Sequence, residues 1–145
     1  MSEPSFAVIH EAALQRAGGK EALKERLSRP EPPESLAMVG DDRYLSVMSR
    51  RIFRAGLKHS MVDARWPAFE AAFFDFDVEQ VAALDDDDLK AYFKDERLIR
   101  HKGKLTAVRN NARAIQELAK EQGSVGNWLA IWSEDEIVDL WDELK

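Results

Sequence analysis

The sequence predicts an all-α fold, a single-domain bundle of helices joined by short connections. Apolar residues recur at spacings of three and four along most of the chain, which is the period of one face of an α-helix. No stretch alternates β-branched residues over four or more positions, as a half-buried strand would. The 145 residues also suit one compact domain with a core of its own.

The first part of the chain contains two predicted helices and a connector. Ser5 to Ala17 is predicted as the first helix, and Lys20 to Leu27 as a shorter second one. Arg29 to Pro33 holds three prolines within five residues, which favours an extended connector. Residues 1–33 are therefore predicted to be an N-terminal helical extension of a core at 41–145.

Aspartates begin most of the helices predicted in the middle of the chain. Their oxygens can accept hydrogen bonds from the free N–H groups of a first turn, and their charge complements the helix dipole. The predicted helices are one capped by Asp41 or Asp42 and ending near Gly56, one beginning at Trp66-Pro67, one over Val78–Leu84 capped by Asp77, and one over Leu89–Phe93 capped by Asp85 to Asp88. We interpret the four consecutive aspartates as caps, because a calcium-type loop needs alternating ligands and a glycine bend.

The longest predicted helix runs from about Lys102 to Glu121, with apolar residues at helical spacing. Two shorter helices follow, and a serine begins each of them. Ser124 caps Val125–Trp132, and Ser133 opens a capping box for a final helix from Asp135 onward.

Two features of this last part concern the core. Trp128, Trp132 and Trp141 lie at helical spacing and are predicted to be core residues. The final helix reaches Lys145 in mid-pattern, with no glycine or proline to end it. We therefore expect the core at 41–145 to lack a C-terminal part.

Composition excludes several classes of site. The chain has no cysteine, so disulfides, zinc–thiolate sites and cysteine nucleophiles are impossible. No apolar run approaches the ~20 residues of a membrane span, and the N-terminus lacks a basic-then-apolar signal pattern. No Ser-His-Asp arrangement or glycine-rich phosphate loop can be identified. A cytoplasmic protein with no membrane partner is predicted.

The charge of the chain is segregated. The net charge is −6, but residues 43–62 carry five cations and residues 97–116 carry six, with no acidic residue in either range. These two basic windows together carry a formal charge of +11, and the rest of the chain carries a formal charge of −17. Local potential governs phosphate binding over ~8–10 Å, so a shared face of the windows would form a basic surface on an acidic protein. The alternative is that each window is an ordinary helix face whose acidic partners come from elsewhere.

The second window contains a cluster of basic residues at the start of the longest predicted helix. Arg100, His101, Lys102 and Lys104 lie there, where free N–H groups and the helix dipole favour an anion. Cations at this point oppose the helix dipole, so helix stability does not explain them. They are candidates for contacts with phosphate; ion pairs with the acidic segments are the alternative.

Several blocks of the sequence resemble one family in their order and spacing. The blocks are Leu98 to Leu105 (LIRHKGKL), Asn111 to Ala114 (NARA), Arg54 to Leu57 (RAGL), Phe69 to Phe73 (FEAAF), Phe76-Asp77 and Val81 to Leu84 (VAAL). Through these blocks the chain is similar to the bacterial DNA-3-methyladenine glycosylase I family over roughly Asp41 to Asn111, and more loosely to Lys145. Each block alone is unspecific, and their collinearity carries the resemblance.

The resemblance implies a fold, a substrate and a reaction. The fold would be that of the helix–hairpin–helix DNA glycosylase superfamily. The partner would be double-stranded DNA, from which a damaged, alkylated base is flipped out before its N-glycosidic bond is hydrolysed. The protein would be a monofunctional DNA N-glycosylase of base-excision repair, acting as a monomer without a cofactor.

Three departures from the family pattern affect the expected site. Arg51 stands where family members place a base-recognising glutamate, and His59 stands where they place a pocket tryptophan. The zinc-binding cysteines of well-known members are absent, so no metal is expected. Arg51 and His59 are therefore the candidate base-pocket residues, and no catalytic residue is assigned.

The functional hypotheses belong to different classes. One is a divergent glycosylase with an altered pocket, in which Arg51 suits a neutral or anionic lesion better than a cationic one. A second is a non-catalytic DNA- or protein-binding relative that retains the scaffold. A third is a helical protein–protein module, which predicts no salt-dependent affinity for DNA.

Overall fold

The computed structural model describes residues 5–145, and these residues form helices without any strand. The all-α prediction is therefore confirmed. The described α-helices are α1 Phe6–Ala17, α2 Lys20–Arg26, α3 Pro33–Met38, α4 Asp41–Arg54, α5 His59–Ala72, α6 Val78–Ala83, α7 Asp86–Tyr92, α8 Lys102–Gln122, α9 Val125–Ala130 and α10 Ile137–Glu143. Short 3₁₀ helices occupy Phe74–Phe76 and Glu134–Glu136.

The chain divides into two compact units, Met1–Glu31 and Pro32–Lys145. The first unit contains α1 and α2, which pack against each other. The helices are separated by Gly18 and Gly19, whose φ values of 91° and 118° lie in a region that glycine adopts readily. The N–H of Gly18 donates to the carbonyls of Leu14 and Gln15, which ends α1.

The second unit is built around a cluster of aromatic rings from α4, α5 and the 3₁₀ turn after α5. The Trp66 ring stacks on Phe69 at 4.8 Å and on Phe76 at 5.4 Å between centroids, and Phe53 meets Phe69 edge-on at 4.7 Å. Helix α8 closes the core, since Leu105, Val108 and Ala112 are fully buried. Aromatic pairs of this kind add to the stabilisation from burial alone.

Helix α5 begins earlier than the sequence indicates. The prediction placed its start at Trp66-Pro67, but the helix runs from His59 to Ala72 with Pro67 in its interior. Proline there removes one helical hydrogen bond. Burial of Val62, Trp66 and Phe69 on one face of the helix offsets this cost, because these side chains form much of the core.

The turn after α5 is left-handed. Phe74, Asp75 and Phe76 have φ values of 57°, 53° and 59°, which are rare for residues other than glycine. Phe76 is fully buried beneath Trp66, and Arg43 of α4 donates a 2.5 Å hydrogen bond to the carbonyl of Asp75. These contacts hold the backbone in a conformation that its sequence does not favour.

Helix α3 begins at Pro33, the last of the three prolines. The extended connector ends one residue earlier than predicted, because Pro33 occupies the first turn of α3, where a missing N–H costs nothing. α3 packs on α9, and Tyr44 donates a 2.6 Å hydrogen bond to the carbonyl of Leu36. The approach is close at Gly126, where an added Cβ would lie 2.2 Å from the same Leu36 oxygen.

The predicted caps are largely confirmed. The side chain of Asp77 accepts from Gln80 N–H at 2.9 Å, Asp85 and Asp88 form a capping box, and Ser124 accepts from Asn127 N–H at 3.0 Å. Ser133 and Glu136 form the capping box before α10. α4 differs, because it begins at Asp41 after Gly40 and no side chain caps it.

The prediction that three tryptophans are core residues is wrong, because none of them belongs to the buried core cluster. Trp128 and Trp132 are half-buried and meet edge-on at 5.8 Å, whereas Trp141 is 59% exposed on α10. The reason is that α10 packs only against the preceding 3₁₀ turn among the described elements. No helix within residues 5–145 combines the length and apolar character needed to cross a membrane.

Candidate nucleic-acid interface

The two basic windows meet at a contact between Lys104 and the end of α4. The Lys104 ammonium donates to the carbonyl oxygens of Ala55, at 2.6 Å, and of Phe53, at 3.4 Å. Ala55 is the C-terminal cap of α4, and Lys104 lies in the first turn of α8. The contact therefore brings together parts of the chain that are 49 residues apart in sequence.

A tight turn joins α4 to α5 beside this contact. Gly56 has a φ of 75°, which permits the chain to reverse between the two helices. Arg51 lies in the last turn of α4, Lys58 directly precedes α5, and His59 is the first residue of α5. The side chains of Arg51, Lys58 and His59 are exposed, so the turn presents basic and imidazole groups to solvent.

The segment that leads into α8 is anchored on α5. The Arg65 guanidinium donates to the carbonyl of Leu98 at 3.1 Å, and the Leu98 side chain is buried. His101 then caps α8, because its Nδ1 accepts the backbone N–H of Lys104 at 3.1 Å. This hydrogen bond satisfies one of the free donors of the first turn.

Most arginines of the windows are paired with carboxylates from outside them. Among residues 5–145 the ion pairs are Arg43 with Asp42 and Glu70, Arg50 and Arg54 with Asp63, Arg97 with Asp95, and Arg109 with Asp86. The hydrogen bonds from Arg54, Arg109 and Arg97 lower the pKa values of Asp63, Asp86 and Asp95, respectively. For these five arginines the alternative of ordinary ion pairing is therefore correct.

Two further cations of the second window bind backbone carbonyls. Arg113 donates to the carbonyls of Ala82 and Leu84 at 2.9 and 3.0 Å, at the end of α6. Lys104 does the same at the end of α4. Cations at these positions complement the negative end of a helix dipole.

The remaining four window cations are Arg51, Lys58, Arg100 and Lys102. Within residues 5–145, no hydrogen bond or ion pair engages their side chains, and all four are exposed. The Lys102 ammonium lies 5.7 Å from the centroid of the Phe93 ring, a cation–π distance. Each of the four lies within four residues of Ala55 or Lys104 in the sequence, the two residues that form the contact between the windows. We call them the free cation set.

The candidate base-pocket residues lie on either side of the tight turn, in exposed positions. A groove of about 440 Å³ lies elsewhere, between Asp41, Val78 and Lys120, and a smaller one of about 220 Å³ lies beside Tyr92. Neither groove is lined by Arg51 or His59. Within residues 5–145, no three histidine, aspartate or glutamate side chains are grouped so as to hold a metal ion.

Two residues outside the basic windows contribute to this region. Asp63 neutralises two arginines beside Arg51, and Arg65 fixes the start of the segment before α8. Both lie on the early part of α5, which the sequence prediction did not include. A helix predicted over His59 to Ala72 would have placed Asp63 and Arg65 within one turn of the end of the first window.

Comparison with known proteins identifies related sequences and structures. Residues 36–144 match the family model described as methyladenine glycosylase. A stretch of 65 residues is 35% identical to DNA-3-methyladenine glycosylase 1 of Escherichia coli (strain K12), and it covers 45% of this chain and 35% of that protein.

The fold is also similar to solved structures. A structure of 3-methyladenine DNA glycosylase I in complex with 3-methyladenine has a TM-score of 0.59 at 25% identity, covering 61% of this chain and 48% of that one. A structure of the Staphylococcus aureus enzyme has a TM-score of 0.61 at 23% identity, covering 68% and 50%. The chain thus spans about a third to a half of the length of these relatives.

Proposed function

The chain belongs to the methyladenine glycosylase family, and from that premise we propose that it excises damaged, alkylated bases from double-stranded DNA. The reaction is hydrolysis of the N-glycosidic bond after the base has been flipped out of the helix. A purine alkylated at N3 or N7 is cationic and already a good leaving group, whereas a purine alkylated on an exocyclic oxygen is neutral. The protein's main tasks are then to hold the flipped base and to exclude undamaged ones. We propose that it does so in the cytoplasm, as a monomer.

The observation that best supports contact with DNA is the position of the free cation set. Arg51 and Lys58 come from the first window, Arg100 and Lys102 from the second, and the Lys104–Ala55 contact brings the two pairs together. Exposed cations without carboxylate partners can neutralise phosphates and release counterions. With four such contacts, the slope of log affinity against log salt is about −3.6 on duplex DNA.

His101 is a weaker phosphate ligand in this proposal than the sequence indicates. Its Nδ1 is occupied by the Lys104 N–H, so only the opposite side of the ring is free to face a phosphate. The predicted phosphate contacts of Arg100 and Lys102 remain part of the proposal.

For the damaged base, we propose that Arg51 and His59 contact it at the tight turn. The imidazole ring of His59 can stack on a base, although with less area than an indole. The Arg51 guanidinium repels a cationic base and donates hydrogen bonds to a neutral or anionic one. A lesion without positive charge is therefore the favoured substrate.

Release of free base from damaged duplex DNA tests the activity directly. The 145-residue chain is incubated with methylated duplex and, separately, with duplexes bearing neutral lesions, and the released bases are separated by chromatography. Release from a neutral lesion, abolished by Arg51→Ala, is the expected result. Release of only cationic bases contradicts the assignment of Arg51.

A non-catalytic relative is the second candidate function, and one observation favours it. Arg51 and His59 are exposed and line neither described groove, so the geometry of an enclosed pocket is not evident around them. Salt-sensitive DNA binding without release of any base would establish this second function. No DNA binding at two ionic strengths would exclude both candidates and leave a protein–protein module.

A further inference from the structure

We propose that Lys104 is a positioning residue, which fixes the free cations of the second window relative to those of the first and does not itself bind phosphate. The inference deepens the proposed function and rests on it for the DNA-binding part. It replaces the sequence-based assignment of Lys104 as a phosphate ligand.

The first step of the argument is the environment of the Lys104 ammonium. The last carbonyls of a helix have no N–H partner within the helix, and a lysine can satisfy them. The carbonyls of Phe53 and Ala55 at the end of α4 accept from Lys104 at 3.4 and 2.6 Å. The Lys104 side chain is also half-buried, unlike those of the free cation set. Its charge therefore faces the negative end of α4.

The second step concerns the segment between two anchors. Arg65 of α5 holds the carbonyl of Leu98 at 3.1 Å, and Lys104 holds the end of α4. Arg100 and Lys102 lie between these two points, in a segment that contains no helix before Lys102. The Lys104 contact adds a direct hydrogen bond between this segment and the turn that carries Arg51 and Lys58, beside the packing of α8 on α4.

The third step distinguishes two roles of Lys104, because loss of the residue would weaken DNA binding in both. A phosphate ligand contributes about 0.9 to the salt slope on duplex DNA, whereas a residue that only pre-orders other ligands leaves the number of phosphate contacts, and therefore the slope, unchanged. The substitution Lys104→Met removes the ammonium, whichever of the two roles Lys104 has. The salt slope therefore separates a positioning residue from a phosphate ligand, and Lys102→Met is the matched control from the same helix turn.

The test combines DNA binding with amide hydrogen exchange in the absence of DNA. For Lys104→Met we expect affinity for a duplex to fall about tenfold with an unchanged salt slope, and the amides of Ala55 and Leu57 to exchange faster than in the wild type. For Lys102→Met we expect the slope to become shallower by about 0.9 and the same amides to exchange as in the wild type. Lys104→Arg, which retains a donor for the carbonyls, should restore both the affinity and the slow exchange.

The outcomes that overturn the proposal are distinct from those that overturn the function. A slope shallower by about 0.9 in Lys104→Met, with unchanged exchange at Ala55 and Leu57, would make Lys104 a phosphate ligand. Absence of DNA binding by the wild-type chain would refute the proposed function, while the exchange measurement would still decide whether Lys104 holds the turn. If Lys104→Met does not fold, Lys104→Gln is measured in the same two ways and judged by the same outcomes.

Discussion

Arg54 and Asp63 form a two-pronged ion pair between the end of α4 and the start of α5. One guanidinium nitrogen of Arg54 lies 2.6 and 2.7 Å from the two carboxylate oxygens, and Nε lies 3.0 Å from one of them. Arg50 donates to the same carboxylate at 3.0 Å. A single carboxylate thus neutralises two arginines on either side of Arg51, and it limits the number of cations that can face DNA.

Removing the charge of Asp63 should strengthen DNA binding. Asp63→Asn frees Arg50 and Arg54, and each guanidinium that then meets a phosphate steepens the salt slope by about 0.9. We expect tighter binding at low salt, measured by fluorescence anisotropy with an undamaged duplex. Glu117→Gln is the control, because it changes the net charge by the same amount but removes a carboxylate that pairs with Lys120, late in α8. An equal gain in both variants would contradict a local effect.

The same carboxylate predicts a pH dependence of stability. Hydrogen bonding from Arg54 lowers the pKa of Asp63 below its ordinary value of 3.8. The stabilisation from a lowered carboxyl pKa is complete above the ordinary value and is lost as the pH falls through the folded-state pKa. In urea unfolding, we therefore expect the wild type to exceed Asp63→Asn in stability at neutral pH, with the difference shrinking towards zero in acid. A constant difference at all pH values would contradict this role of Asp63.

What the sequence reveals of the fold is mostly local. The caps at Asp77, Ser124 and Ser133 were predictable because each involves residues three apart in the chain. The start of α5 was not predictable, because proline usually marks a first turn. The helix begins eight residues before Pro67, where Val62 and Trp66 pack into the core.

The candidate site was predictable as a region but not as a set of contacts. The acid-free windows located the cations, since charge segregation is visible in one dimension. Which cations are neutralised depends on partners such as Asp86 for Arg109, which lie on another helix 23 residues away. The role of Lys104 depends on a carbonyl, which has no sequence signature at all.

The close approach of α9 to α3 predicts a strict requirement for glycine. A Cβ at position 126 would lie 2.2 Å from the carbonyl oxygen of Leu36, so Gly126→Ala must push the helices apart. We expect a loss of about 1–3 kcal/mol of unfolding free energy, which outweighs the better helix propensity of alanine. Gly103→Ala is the control, because its nearest neighbour would be a ring carbon of His101 at 3.4 Å. That variant should be more stable by up to about 1 kcal/mol, and equal losses in both would contradict the clash.

The left-handed turn after α5 predicts opposite responses to two substitutions at one position. Asp75 is exposed, with φ 53° and ψ 30°. Glycine at this position relieves about 1–2 kcal/mol of left-handed strain. It also costs about 0.4–1 kcal/mol, because it increases the conformational entropy of the unfolded chain. We therefore expect Asp75→Gly to be unchanged or up to about 1 kcal/mol more stable, and Asp75→Val to be less stable than the wild type. Chemical denaturation measures both, and stabilisation by valine would show that the turn is not left-handed in solution.

The cap on α8 predicts how His101 contributes to stability and to DNA binding. Its Nδ1 accepts the backbone N–H of Lys104, so His101→Ala leaves a donor of the first turn without a partner and should cost about 1 kcal/mol of unfolding free energy. His101→Asn restores an acceptor of suitable reach and should recover most of that loss. Because this role of His101 is that of an acceptor and not of a cation, the salt slope of DNA binding should be the same in all three proteins. A shallower slope in both variants, at unchanged stability, would instead make His101 a phosphate ligand.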